Sequence, residues 1–243
     1  MSGFTLAIDG STYAGSVALL QGSTVISERT LVDTGIPSKG GREERVLPFV
    51  AECLEECGVT VSQIARVVCG AGPGSFTSLR IAASVAKGIA VGVGCPLFSV
   101  SSLVLTVTGW PELAAIPQHR EVAGKSPPIR VPARYLSVLP AMRGEWYAAE
   151  IAVTAGSKIE ASSALRIVGE GSLREAELAG LAVIGPGQAL DARPHARGVA
   201  LLLDAIVAGG AENNETWEPE YGRLAEAQVK WEAAHGRSLS SDG

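Results

Sequence analysis

The sequence has few of the side chains that bind metals or act as nucleophiles. Its 243 residues include only 3 histidines and 4 cysteines, the histidines are far apart, and neither H-E-x-x-H nor C-x-x-C occurs. A zinc site needs such ligands at close spacing, and the G-x-S-x-G motif of many serine hydrolases is missing as well. These absences argue against a metalloprotease and a serine hydrolase. We expect the cysteines to be reduced and buried.

Acidic residues are missing from a long central stretch. No Asp or Glu lies between Glu56 and Glu112, so the carboxylate that follows a dinucleotide-binding glycine motif and holds the ribose is absent. The phosphate-binding motif G-x-x-x-x-G-K-[ST] is absent too. With 20 basic and 25 acidic residues the net charge is −5, which does not favour direct binding of a nucleic acid. The absent carboxylate and motif therefore argue against an NAD or FAD site.

Long uninterrupted hydrophobic runs are also missing. Residues 1–16 lack the basic start, apolar core and cleavage site of a secretory leader, so we expect a cytoplasmic protein. The longest uncharged run, residues 88–111, is broken by Pro96, glycines and hydroxyl side chains. This composition favours a helix end, a strand and a helix start over a membrane span.

The most distinctive stretch present is a glycine-rich loop at residues 70–80. A β-branched segment typical of a buried strand precedes it at 65–69, and apolar residues recur every three or four positions over 79–93, which predicts a helix. Ser75 or Thr77 can cap that helix. A helix N-terminus lined by glycine backbone can bind an anion such as phosphate, while a strand-to-helix turn can need glycine for its dihedral angles alone. Both interpretations remain open.

The rest of the chain predicts further alternation of strands and helices. Three short strands form a meander over residues 4–30. A helix follows at about 42–56, with one apolar side formed by Val46, Leu47, Val50, Leu54 and Cys57. Two paired strands are expected around residues 140–145, an apolar helix over 196–208, and a polar helix over 225–235. The sequence thus predicts an α/β protein.

One motif resembles a known family. The sequence Gly-Pro-Gly-Ser-Phe-Thr-Ser-Leu-Arg at 72–80 resembles the GPGSFTGLR signature of the TsaB (YeaZ) family, with Ser78 in place of a glycine. The stretch Trp217–Arg223 resembles the family's P-x-Y-x-R close. Two further positions depart from the family pattern: Arg42 stands where a histidine is usual, and Pro140 where an aspartate is usual.

The resemblance implies a fold of two ribonuclease-H-like (actin-like ATPase) domains, each a mixed sheet flanked by helices. We expect an N-terminal domain over residues 1–110 that carries the glycine loop and the dimerisation helices. A basic, proline-rich linker or loop is expected at 111–134, a reduced C-terminal domain at 135–237, and a disordered tail at 238–243.

The resemblance also implies a function. Family members are non-catalytic partners of the transferase TsaD, which with the ATPase TsaE makes N6-threonylcarbamoyladenosine at position 37 of tRNA. The present chain would then contact tRNA only through the complex, form a homodimer when isolated, and need no cofactor, although ATP or ADP could lie at the partner interface. The alternatives are an ATPase or kinase of the actin and sugar-kinase superfamily and, more remotely, a glycoprotease-like hydrolase. One N-terminal aspartate without further acids in the glycine loop favours the non-catalytic interpretation over these enzymes.

The resemblance further implies two sets of site residues. By analogy with the superfamily, a degenerate nucleotide site would comprise Asp9, Ser11, Thr12, Gly72, Gly74 and Ser75. A partner interface of paired helices would comprise Arg42, Val46, Val50, Leu54, Leu79, Ala82, Ala83, Ala86 and Ile89. The small alanines would let helices approach closely, but packing inside the domain explains the same residues.

Overall fold

The fold is taken from a computed structural model that describes residues 3–13, 15–30, 45–114, 133–154 and 158–222. Several sequence predictions lie outside these residues: the position of Arg42, most of the 111–134 linker, the helix at 225–235 and the tail at 238–243.

The first sheet is built around the N-terminal strand. Its strands are β1 (Phe4–Asp9), β2 (Ser16–Gln21), β3 (Thr24–Thr30), β4 (Ile64–Gly70) and β5 (Leu97–Val100). Their order is β3-β2-β1-β4-β5, with antiparallel pairing in the predicted meander and parallel pairing from β1 to β4 and from β4 to β5. The meander and the strand before the glycine loop are therefore confirmed.

Two helices cover one face of this sheet. Helix α1 (Val46–Glu56) follows the meander, and α2 (Phe76–Val93) follows β4 through the glycine loop. Because side chains alternate across a strand, Leu6 and Ile8 face α1 and α2, while Ala7 faces the opposite side. Both faces of the first sheet are thus buried.

The second sheet is mixed and lies on the far side of a buried helix. Its strands are β6 (Ala133–Pro140), β7 (Trp146–Thr154), β8 (Lys158–Ala161), β9 (Arg166–Val168), β10 (Ala182–Gly185) and β11 (Leu190–Asp191), with helix α5 (Glu170–Leu178) between β9 and β10. Helix α3 (Ser102–Thr108), followed by the single turn α4 (Pro111–Ala114), is buried at every residue from 102 to 108. One continuous hydrophobic core contains α3 and residues of both sheets. The two mixed sheets flanked by helices confirm the predicted fold class.

Two helix predictions were wrong in detail. The apolar segment 196–208 forms a 3₁₀ helix, Ala196–Leu201, and a separate helix α6 (Leu203–Gly209). A Cβ atom on Gly198 would lie 2.2 Å from Thr108 Oγ1, so this segment packs its backbone directly onto the end of α3.

In α1, Leu47 was predicted on the buried side but is 54% exposed, because Val46, Val50 and Leu54 form the inward stripe.

The turn between β6 and β7 contains a strained residue. Arg143 has φ 64° and ψ 30°, and Gly144 has φ 74°. Positive φ at both central positions is the type I′ hairpin geometry, in which Asn-Gly is strongly preferred. An arginine at the first position therefore costs conformational energy.

We expect Arg143→Asn to stabilise the protein by about 1 kcal/mol, because asparagine adopts left-handed backbone angles more readily. The free energy of unfolding in urea measures this gain. Glu145→Asn, one residue beyond the two central positions, is the control and should give no gain. An unchanged stability for Arg143→Asn would contradict the strain argument.

His195 joins the 3₁₀ helix to the first sheet. The residue is only 7% exposed. Its Nδ1 accepts a hydrogen bond from the Arg197 backbone N–H at 3.0 Å, and its Nε2 lies 2.6 Å from Thr30 Oγ1. The Arg197 guanidinium nitrogen Nη2 also lies 3.0 Å from Nε2, so the ring is held by contacts at both of its nitrogens. Burial, with the nearby charge of Arg197, lowers the pKa of His195 to about 3.

This pKa predicts a loss of stability in acid. An unfolded histidine has a pKa of about 6.5, so below that pH the unfolded chain binds a proton that the folded chain does not. From this group the free energy of unfolding should fall by up to about 1.4 kcal/mol per pH unit as the pH drops from about 6.5 towards 3. Asn in place of His195 keeps an acceptor for the Arg197 N–H and does not titrate. The measurement is urea unfolding at several pH values. The difference in free energy of unfolding between wild type and His195→Asn should become smaller as the pH falls. A difference that does not depend on pH would refute this account.

Candidate functional site

The predicted nucleotide-site residues meet at a buried carboxylate. Asp9, the last residue of β1, is 0% exposed. Its Oδ1 accepts hydrogen bonds from the backbone N–H of Ser11 at 3.1 Å and from Ser11 Oγ at 2.7 Å. Its Oδ2 accepts one from Ser102 Oγ at 2.6 Å. Burial raises the pKa of Asp9, and the hydrogen bonds from Ser102 and Ser11 oppose that rise only in part.

The glycine loop is tied to the same cluster. The N–H of Gly72 donates to Ser102 Oγ at 3.1 Å, and the N–H of Ser102 donates to the Gly72 carbonyl at 2.8 Å. The N–H of Ser75 donates to the Ser11 carbonyl at 2.7 Å. The structure therefore brings Asp9, Ser11, Gly72 and Ser75 together, as the resemblance implies.

Ser102 is the central residue that the sequence reasoning missed. It receives the Gly72 N–H and donates to Asp9, so a single hydroxyl connects the loop to β1. The available signal was the pair Ser101-Ser102 at a predicted helix start. That pattern indicates a helix cap, but nothing local in it indicates an acceptor that lies 93 residues away.

The loop glycines are required by close packing within the chain. A Cβ atom on Gly74 would lie 2.1 Å from the Ser11 carbonyl oxygen, and one on Gly72 would lie 2.3 Å from the Glu220 carbonyl oxygen. Real Cβ atoms do not approach so closely, and Gly72 also has φ +93°. The need for glycine is thus explained by the protein's own backbone.

The remaining predicted residues lie at the edge of this cluster. Ser75 is the residue before α2, as predicted, but its hydroxyl pairs with Ser78 Oγ at 3.1 Å and caps no backbone amide. Thr12 has a buried Oγ1 that makes no hydrogen bond to the described residues.

The cluster does not fit a magnesium nucleotide. Both oxygens of Asp9 are buried and occupied by hydroxyl and amide donors, whereas Mg²⁺ is held by accessible, ionised carboxylates and phosphates. Over the described ranges, no group of three or more His, Cys, Asp or Glu side chains could hold a metal. Nucleotide binding at these residues remains a prediction.

The predicted interface residues are mostly buried inside the first domain's own core. Val46, Val50, Leu54, Leu79, Ala82, Ala83 and Ala86 are all buried, and Ile89 is half-buried. The sequence pattern identified the inward faces of α1 and α2. Whether any of these residues contacts a partner remains a prediction.

The outward face of α2 carries small and apolar residues. Ser84 and Gly88 are exposed and Val91 is 66% exposed. A Cβ atom on Gly88 or Gly92 would meet none of the described residues within 4 Å, so packing against those residues explains neither glycine. Each costs the helix about 1 kcal/mol relative to alanine.

Helix α2 is also the one described helix that is long and apolar enough, by length and composition, to cross a membrane. This is weak support for a membrane span, because core helices of soluble proteins pass the same test. Five residues of α2 are buried, and the helix packs on β4.

Comparison with known proteins identifies relatives of the N-terminal half. The family model for TsaD: tRNA N6-adenosine threonylcarbamoyltransferase matches residues 32–111. The chain is 38% identical to the tRNA threonylcarbamoyladenosine biosynthesis protein TsaB of Escherichia coli over 104 residues, which are 43% of this chain and 42% of that protein. It is 36% identical to the TsaB protein of Bacillus subtilis over 98 residues, 40% of this chain and 41% of that protein. The matches therefore span about two fifths of these curated relatives.

The structural likeness extends over both sheets. YeaZ from Pseudomonas aeruginosa superposes with a TM-score of 0.67 at 22% sequence identity, covering 90% of this chain and 99% of that one. The fold is thus the α/β fold of YeaZ, with two mixed sheets flanked by helices. About two fifths of the chain is similar in sequence to proteins named TsaB, and most of its length shares the fold of YeaZ.

The hydrogen bonds around Asp9 predict a large loss of stability when Ser102 is mutated. Ser102→Ala removes the donor to Asp9 and the acceptor of the Gly72 N–H together, so it should lower the free energy of unfolding by about 2–3 kcal/mol. Thr106→Val is a matched control in the same buried helix, because the Thr106 hydroxyl only donates to a carbonyl of its own helix at 3.0 Å; it should cost about 1 kcal/mol. Urea unfolding measures both losses. If the two variants lose the same free energy of unfolding, the Asp9 cluster contributes no more to stability than an ordinary buried hydroxyl.

Proposed function

We propose that this protein is a non-catalytic subunit in the biosynthesis of threonylcarbamoyladenosine in tRNA. It would bind a TsaD-type transferase and, with the ATPase TsaE, support the transfer of the threonylcarbamoyl group to adenosine 37. The observation that carries this proposal is the sequence match of the N-terminal half to named TsaB proteins, together with the shared two-sheet fold.

The chemistry of the site favours a non-catalytic role over a catalytic one. The described residues offer no clustered metal ligands, and the Asp9 carboxylate is buried and fully hydrogen-bonded. A net charge of −5 disfavours direct capture of a polyanion. We infer that tRNA is bound through the complex, that no cofactor is required, and that the protein acts in the cytoplasm.

The outward face of α2, with its neighbour α1, is the proposed partner surface. We define this surface by Leu47, Ala51, Ser84, Gly88 and Val91, all of which are exposed. Small residues let a second helix approach closely, which maximises contact between backbones. The TsaD family model covers this same region, which suggests pairing between related helix pairs.

The same surface could form a homodimer when no transferase is present, and a nucleotide could lie where the subunits meet.

The decisive experiment is co-purification with TsaD from the same organism. We expect the wild-type chain to form a one-to-one complex, and Gly88→Glu to weaken it by about tenfold or more, because the new side chain adds charge and bulk at the contact. Gly88→Glu should still fold, since glutamate favours a helix more than glycine does. Leu178→Glu, on α5 and 89% exposed in the wild type, is the matched control and should bind normally.

Three results would count against the proposal. They are absence of a complex, a Gly88→Glu variant that binds as tightly as wild type, or a chain that alone transfers threonylcarbamoyl to tRNA. Magnesium-dependent ATP hydrolysis by the chain alone, lost in Asp9→Asn, would favour the superfamily ATPase instead.

A further inference from the structure

The segment Trp217–Gly222, here called the strap, runs from the core of the first sheet to β7 of the second sheet, where a Cβ atom on Gly222 would lie 2.4 Å from the Tyr147 ring. Trp217 packs against the core beneath α1 and α2, and Lys87 Nζ lies 5.8 Å from the centre of its ring. Near the other end, the Tyr221 ring lies 4.6 Å from the Phe76 ring, measured between centroids. The strap is therefore attached along the length of α2.

Arg80 strengthens the attachment at Tyr221. Its guanidinium carbon lies 4.3 Å from the centre of the Phe76 ring and 5.8 Å from that of Tyr221. Its Nε donates to Tyr221 Oη at 3.4 Å. A guanidinium beside two aromatic rings gains from cation–π attraction and from contact area.

The strap also contacts the glycine loop directly. The N–H of Glu220 donates to the Ala71 carbonyl at 2.7 Å, and the Glu220 carbonyl occupies the position that a Cβ of Gly72 would need. On the opposite side, Tyr147 Oη of β7 donates to the Tyr221 carbonyl at 3.2 Å. The strap is thus held between the glycine loop and the second sheet.

We propose that the glycine loop of this protein binds its own strap in place of a nucleotide, and that the strap fixes the loop and the start of α2 against the second sheet. Two independent observations carry this proposal. The backbone of Gly72 is in contact with the strap, and both oxygens of the Asp9 carboxylate are already used within the chain. The proposal does not depend on any partner subunit.

Hydrogen exchange at individual amides tests the strap. Tyr221→Ala removes the aromatic contact and leaves the loop sequence unchanged. Exchange at the amides of Ala71, Ser75 and Leu79 should accelerate about tenfold or more, because these amides would open without the strap. Leu178→Ala, a truncation at an exposed position, is the control. Tyr221→Leu keeps an apolar side chain and gives a milder variant if Tyr221→Ala does not fold.

Binding of Mg-ATP provides the second measurement. The wild-type chain alone should show no shift in Tm and no added protection of the loop amides at millimolar Mg-ATP. Unchanged loop exchange in both Tyr221 variants would overturn the proposal, and so would protection of the wild-type loop by Mg-ATP that Asp9→Asn removes. Binding of Mg-ATP only after the strap is weakened would support it. None of these readouts involves TsaD, so a failure here is distinguishable from a failure of the proposed function.

Discussion

The carboxylate of Asp9 is the point at which the separate parts of this chain are fastened together. A buried carboxylate is costly unless every oxygen is paired, and here each oxygen receives donors from a different part of the chain. Ser11 belongs to the turn after β1, and Ser102 begins the helix between the two sheets. Because Ser102 also accepts the Gly72 N–H, the same hydroxyl helps to hold the glycine loop in position.

The same cluster limits how far the two sheets can move relative to each other. In the described part of the chain, α3 is buried throughout and shares one core with both sheets. Opening the sheets would expose that core and unpair the Asp9 donors, so an enzyme-like hinge motion would be expensive. Activity that depends on such a motion is disfavoured, and the functional surfaces are expected on the outside of the molecule.

Local patterns were enough to predict the elements but not their long-range partners. Short apolar and β-branched runs predicted β1, β2 and β4, and the three- and four-residue spacing of apolar residues predicted α2, because each pattern follows from the geometry of a single element. The bond from Ser102 to Asp9 and the contact of Glu220 with Gly72 join residues far apart in sequence. No local pattern encodes those distances. The 3₁₀ start of segment 196–208 likewise depends on contact with Thr108, which its own composition does not show.

The glycines show how information from the sequence pattern differs from information in the structure. Gly72 and Gly74 are explained by the chain itself, since its own backbone fills the space where a side chain would lie. Gly88 and Gly92 have open space around them within the part of the chain that the structure describes, so helix formation there would favour alanine at both positions. Sequence periodicity treats all four alike. Only the structure separates a glycine that the fold requires from one with open space among the described residues, and this difference is the reason we propose the outward face of α2 as the partner surface.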